Sequence, residues 1–194
     1  MKRNIFMFVL ALISLFGFLA CEIETEEGFI FDEQTFNAQW NKWKENDIQN
    51  YSFTMTGKLP HWHFSRAILM YKYEVNIVVK NGVMDSFKYM GDVPHKERDE
   101  HSILEPEFTS IADMYRKIAD SAKAEKEWWE KHSGDGGFVS KTFLIKYDPQ
   151  FQYITYFEPK TTVESGWILD TTEHAVYISN FKILNEHDLN EREQ

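Results

Sequence analysis

The stretch from Tyr71 to Met90 constrains this chain more than any other. Tyr71, Tyr73, Val75, Ile77 and Val79 alternate with Lys72, Glu74, Asn76 and Lys80. A period of two sets the first group on one face of an extended strand and the second on the other. Asn81-Gly82 follows at once. Both residues tolerate positive φ, so the pair predicts a tight type I′ hairpin, with a return strand over Val83–Met90. A strand that is apolar on one side only is half-buried, and the rest of the chain must supply its cover.

The flanking segments fit that demand. Tyr51, Phe53, Met55 and Leu59 alternate with Ser52, Thr54, Thr56 and Lys58, which predicts an earlier strand. Three more are expected at about Phe138–Tyr147, Gln152–Glu158 and His174–Leu184. Asp32 is placed to cap a helix reaching about Gln49, with Phe36, Trp40 and Trp43 on one stripe that docks onto a sheet. Thr109 or Ser110 caps a second helix, whose apolar face carries Ile111, Met114, Tyr115, Ile118, Ala122 and Trp129 and which Gly134, Gly136 and Gly137 end. The order helix–three strands–helix–three strands predicts an α+β domain: an antiparallel sheet of about six strands with both helices on one face. The other face is expected to be polar, lined by Ser52, Thr54, Lys72, Asn76, Thr142 and Lys146. Gly91–Phe108 reads as a long charged loop, a kind of segment that is uncommon unless functional or mobile.

The amino-terminal residues read as an address. Lys2 and Arg3 precede an apolar run from Ile5 to Ala20, then Cys21 and a mostly acidic stretch. A basic start, a short apolar core and a small residue before the cut describe an export signal. Cys21 directly after Ala20 resembles a bacterial lipoprotein signal, in which the new amino-terminal cysteine is lipidated; Phe18 stands where such signals usually carry Leu. An uncleaved anchor and a freely secreted chain are the alternatives. The expected organisation is a signal over residues 1–20, an acidic tether over 21–31, one domain over 32–184 and a polar tail over 185–194. Cys21 is the single cysteine, so no disulfide forms within the chain. The 31 acids against 21 Lys and Arg give a net charge of −10, which argues against nucleic acid as a partner.

Four stretches carry a family resemblance: Trp40-x-x-Trp43 leading to Ile48-Gln49-Asn50-Tyr51-Ser52-Phe53; Val75 to Val83; Thr109 to Tyr115 with Ile118; and Ile145-Lys146-Tyr147-Asp148-Pro149 together with Ile178-Ser179-Asn180-Phe181. With these the chain resembles a family of small bacterial exported proteins, many of them lipoproteins, classed only as a domain of unknown function. The resemblance implies a compact envelope domain and no activity. The chain lacks the Gly-Tyr-Pro turn that many members carry after the aspartate, and the cysteine pair that some carry after the first strand.

Candidate chemistry is sparse. His61 and His63, two apart, share a face if the chain there is extended, and His95 and His101 flank Glu97, Asp99 and Glu100; together they could ligate zinc. Trp62 and Trp167 are candidate platforms for a glycan. Ser179-Asn180-Phe181-Lys182 has the Ser-x-x-Lys spacing, but in a strand positions three apart point to opposite faces, and the Lys-Thr-Gly and Ser-Asp-Asn partners are missing. No catalytic constellation stands out. The reading is a lipid-anchored, non-enzymatic envelope domain that binds an envelope protein or component. Its contact surfaces are the polar sheet face and the loop Gly91–Phe108; metal binding and glycan binding are the alternatives.

Overall fold

The computed structural model describes residues 28–62, 68–91, 95–96, 99–103, 105–132, 138–163, 175–185 and 188, with backbone alone at 58–62, 68–71, 95–96, 99–103, 138–139 and 162–163. The alternating segments form β2 (Tyr51–Trp62), β3 (Ile68–Lys80) and β4 (Val83–Tyr89), then β7 (Phe138–Tyr147), β8 (Ile154–Val163) and β9 (Val176–Ile183). Ahead of them lie β1 (Gly28–Ile30) and α1 (Glu33–Glu45). Between the two sets come β5 (His95–Lys96), β6 (Asp99–Ile103) and α2 (Ile111–His132). The class is α+β.

Four expectations need correction. The sheet has seven strands rather than six, in the order β1-β7-β8-β9-β2-β3-β4. It is mixed rather than antiparallel throughout, because β1 runs parallel to β7, with Gly28 opposite Ser140. Gly28–Ile30 is therefore part of the domain, not of a tether reaching residue 31. Three residues cannot display a period; what seats them is Phe29, whose ring meets Phe143 edge-on at 5.5 Å. Finally, the segment 91–108 is not wholly loop: β5 and β6 pair within it as a two-stranded hairpin.

The helix boundaries follow from their caps. The Thr35 hydroxyl and N–H bond the Asp32 carboxylate, the N–H at 2.9 Å, and hold its pKa below the ordinary value. α1 stops at Glu45, short of Gln49, because Asp47 turns left-handed at φ 46° after Asn46 has bonded back to Lys42 O at 3.2 Å. At α2 the cap is reciprocal. Ser110 Oγ accepts the Asp113 N–H at 3.0 Å, and the Asp113 carboxylate accepts the Thr109 N–H at 3.0 Å and its hydroxyl at 3.1 Å. Burial alone would raise the Asp113 carboxyl; the Thr109 bonds and the Lys117 ammonium outweigh it and lower its pKa.

Both helices lie on the same face of the sheet and share one core. Tyr51, Phe53 and Met55 of β2 and Tyr73, Val75, Ile77 and Val79 of β3 are buried there with Phe36 and Trp43 of α1 and Met114, Tyr115 and Ile118 of α2. Burying each such side chain contributes about 1.5–3 kcal/mol. Trp43 docks on the sheet, edge-on to Tyr51 at 5.6 Å and to Phe181 at 5.9 Å. Trp40 does not: it lies on Tyr115 of α2 at 4.6 Å. The paired helices thus reach the sheet as one unit.

One rim of the sheet is stitched by its connections. Asn81 and Gly82 both take positive φ, 51° and 76°, as the I′ turn requires. Asn50 accepts the Asn81 N–H on its side chain and the Leu184 N–H on its carbonyl, each at 2.9 Å, while the Gly82 N–H reaches Gln49 O at 2.9 Å. Tyr51 Oη accepts the Ile111 N–H at 3.0 Å, which fixes the start of α2 at this rim. Further along β2, Gly57 sits opposite Tyr73. A Cβ there would lie 2.6 Å from the Tyr73 hydroxyl, so only glycine admits that ring.

Candidate functional site

The face away from the helices carries the best candidate site. Pairing puts Ser52, Thr54 and Thr56 of β2 beside Val78, Asn76 and Glu74 of β3, and beside Lys182, Ser179 and Tyr177 of β9. A depression of about 300 Å³ opens there, walled by Ser52, Thr54, Glu74, Asn76, Asn180 and Lys182, with Met90 at its edge. At its floor the Thr54 hydroxyl donates to Asn76 Oδ1 at 2.6 Å and accepts from Asn180 Nδ2 at 3.2 Å. Asn76 Nδ2 in turn reaches Met90 Sδ at 3.6 Å. These bonds explain why Thr54 is only 3% exposed although it belongs to the open face. The polar lining expected from sequence is present, but it is closed at Thr54 and interrupted by Val78 and Leu144.

A bulge builds the depression. Ser52 pairs with Lys182 but Thr54 pairs with Ser179, so the single residue Phe53 spans two residues of β9. The extra residue is Asn180, at φ 51°, a conformation asparagine accepts more readily than most residues. Phe181 then returns to the core against Tyr153 at 4.5 Å. The expectation that Ser179 and Lys182 point to opposite faces fails for this reason, since the bulge puts both beside open-face residues. Lys182 is nonetheless held by Asp188 at 2.5 Å, and no helix begins at the serine.

A second group lies one residue pair further along the same face. Tyr156 and Tyr177 sit opposite each other on β8 and β9 with ring centroids 4.9 Å apart, and Tyr177 is 51% exposed. The Tyr156 hydroxyl donates to the Glu158 carboxylate, and Lys146 Nζ lies over the Tyr156 ring at 5.3 Å. Burial first, then the adjacent Glu158 carboxylate and Tyr177, push the Tyr156 pKa up. Glu158 is 6% exposed. Sequence reasoning missed this group because Tyr156 and Glu158 fall on a strand whose alternation is weak. The available signal was the tyrosine two residues before a glutamate.

The two groups together offer hydroxyls, amides, two aromatic rings, the carboxylates of Glu74 and Glu158 and the ammonium groups of Lys146 and Lys182. That chemistry can hold a polar ligand by many modest hydrogen bonds and a ring contact.

The other predicted residues are placed as follows. His61 and Trp62 end β2, opposite Leu69 and Ile68. His95 opens β5 opposite Ile103, and His101 lies on β6. For these four the backbone alone is described, and Cys21, His63 and Trp167 lie outside the described residues. No pairing among the described residues joins the β5–β6 hairpin to the seven-stranded sheet that carries His61. Among the described residues no group of three metal-ligating side chains comes together, and no helix is long and apolar enough to cross a membrane. Comparison with protein-family models, with curated proteins and with solved structures finds no match to this chain.

Proposed function

We propose that this protein is a lipid-anchored, non-enzymatic binding domain of a bacterial cell envelope, attached through Cys21, whose open sheet face holds a partner protein or envelope component. The single observation that carries the binding part is the Thr54–Asn76–Asn180 network. A bulge and a left-handed asparagine fix three polar side chains on a face that helices leave uncovered. Such preorganisation lowers the ordering cost of association. The anchoring part rests on the signal-like residues 1–21 and on the resemblance to exported proteins of unknown function. The test is photo-crosslinking in the native envelope from Ser179, beside Thr54 on the open face. A partner recovered reproducibly from Ser179, and lost with Thr54→Val, supports the reading; no reproducible partner overturns it.

A second reading has its own observation. The Tyr156–Tyr177 pair beside Glu158 is the exposed aromatic platform with neighbouring polar groups that a glycan site needs. Retention of the protein on isolated envelope polysaccharide, abolished by Tyr177→Ala, would select a glycan over a protein partner. Zinc held by His61, His63, His95 and His101 is the remaining alternative, and calorimetry with zinc at neutral pH decides it: no heat at micromolar protein ends it.

A further inference from the structure

α2 spans the domain from one rim to the other. It begins where its Ile111 N–H meets Tyr51 at the start of β2. Its 22 residues give it a length of about 33 Å. Its last turns reach the opposite rim, where β1 starts, since Gly28 pairs with Ser140 near the beginning of β7. There Trp129 Nε1 lies 3.7 Å from the position a Gly28 Cβ would take, so the chain enters the domain against that indole. Its neighbour Trp128 is 41% exposed and stacks on His132 at 4.7 Å and 19°. The His132 ring is itself fixed by a 2.7 Å bond between Nδ1 and Trp128 O.

Seven peptide units separate Cys21 from Gly28 and span at most about 25 Å. An anchor at Cys21 therefore keeps the entry point, and with it this end of α2, within about 25 Å of the lipid surface. Indole rings partition to the headgroup level of bilayers, with one apolar edge and one N–H. The exposed charges around Trp128 (Lys126, Glu127, Glu130 and Lys131) balance, so the contact is made by the ring rather than by attraction to anionic lipid. Val83 and Ile183, two other exposed apolar side chains, lie at the far, stitched rim.

From the end of α2, its exposed indole and the short reach to Cys21, we infer that Trp128 seats at the lipid headgroup level and stands the domain on the membrane. The strands then run away from the bilayer and the open face looks sideways along it. The inference rests on the anchoring part of the proposed function.

The full chain is extracted from membranes and reconstituted into phosphatidylcholine vesicles, with or without bromine at a shallow acyl position. The wild type is expected to lose a portion of its tryptophan emission to the brominated lipid that the Trp128→Phe chain does not lose, with equal circular dichroism for the two. Equal losses by wild type and Trp128→Phe in chains that float with the vesicles overturn this inference and leave the anchor standing. Chains that never float overturn both. Cys21→Ser chains that still float overturn lipid attachment at Cys21, while the Trp128 comparison in those vesicles still decides the inference.

Discussion

The two faces of the seven-stranded sheet are made from the same strands and are held by opposite means. The covered face is nearly all ring and branched aliphatic side chain, packed against helices that contribute rings of their own. The open face has hydroxyls and amides that bond to one another across strands, and its rings pair on the side away from the two described helices. On the first face, stability comes from area removed from water and is spread over some twenty residues. On the second, a few bonds set geometry and contribute little stability, so that face can change without unfolding the protein. A face that tolerates change is where recognition can be tuned.

The largest test of that contrast is a matched pair of truncations. Phe53→Ala, fully on the covered side, is expected to cost about 3–5 kcal/mol in urea denaturation. Tyr177→Ala, half-exposed on the other side, is expected to stay within about 1 kcal/mol of wild type. Comparable losses would erase the distinction.

Alkali should attack the covered side next. Burial pushes the Tyr51 hydroxyl up to about 12 from 10, with the Ile111 and Ser110 bonds opposing the shift, and burial likewise raises Tyr73, Tyr115 and Tyr147. A raised folded pKa means the native state holds its proton where the unfolded state has released it. Stability is thus complete below pH 10 and falls as pH rises through 10 to 12, by on the order of 2–3 kcal/mol from Tyr51 alone. Urea midpoints measured across that range should decline; a flat profile would contradict the burial of these hydroxyls.

Thr54→Val tests the open face by itself. It removes one donor and one acceptor at nearly constant shape, for about 1 kcal/mol, and should abolish capture of the partner crosslinked from Ser179. Stability lost without binding lost would make the network a structural device only. The smallest effect is expected at Tyr73, whose buried hydroxyl has no hydrogen-bond partner among the described residues. Tyr73→Phe should lie within about 0.5 kcal/mol of wild type or gain stability, because nothing is left unpaired. A loss above 1 kcal/mol would show that the hydroxyl is satisfied after all.

Much of the covered face was legible in the sequence because it obeys a period. The Tyr73–Val79 alternation, the Asn81-Gly82 turn, the Ser110 cap and the apolar stripe of α2 all appear where the pattern puts them. What escaped has no period. β1 is three residues that make sense only once Phe143 is beside Phe29. The strand order, with β9 between β8 and β2, is a long-range pairing that local patterns do not encode. The site was half legible: Ser52, Thr54 and Asn76 follow from alternation, but Asn180 enters through a bulge that breaks the alternation rule. Asn180 stood out in the sequence only within a resemblance stretch and a serine–lysine spacing, neither of which gave it a place on the open face.

The place of β9 has a consequence for the order in which the chain can be made. It is the last of the described strands in sequence yet lies in the interior of the sheet, joining β2-β3-β4 to β7-β8. Until Val176–Ile183 has left the ribosome, the two halves have no seam to close along, and β2 keeps an open edge. Closing that seam then means pairing Tyr51–Thr56 with Tyr177–Ile183, far apart in sequence, which is slow because the intervening chain must be gathered first. The sequence therefore carries its own delay. A chain whose halves stay unjoined until Val176–Ile183 has been made keeps its sheet open while every described strand before it is being made.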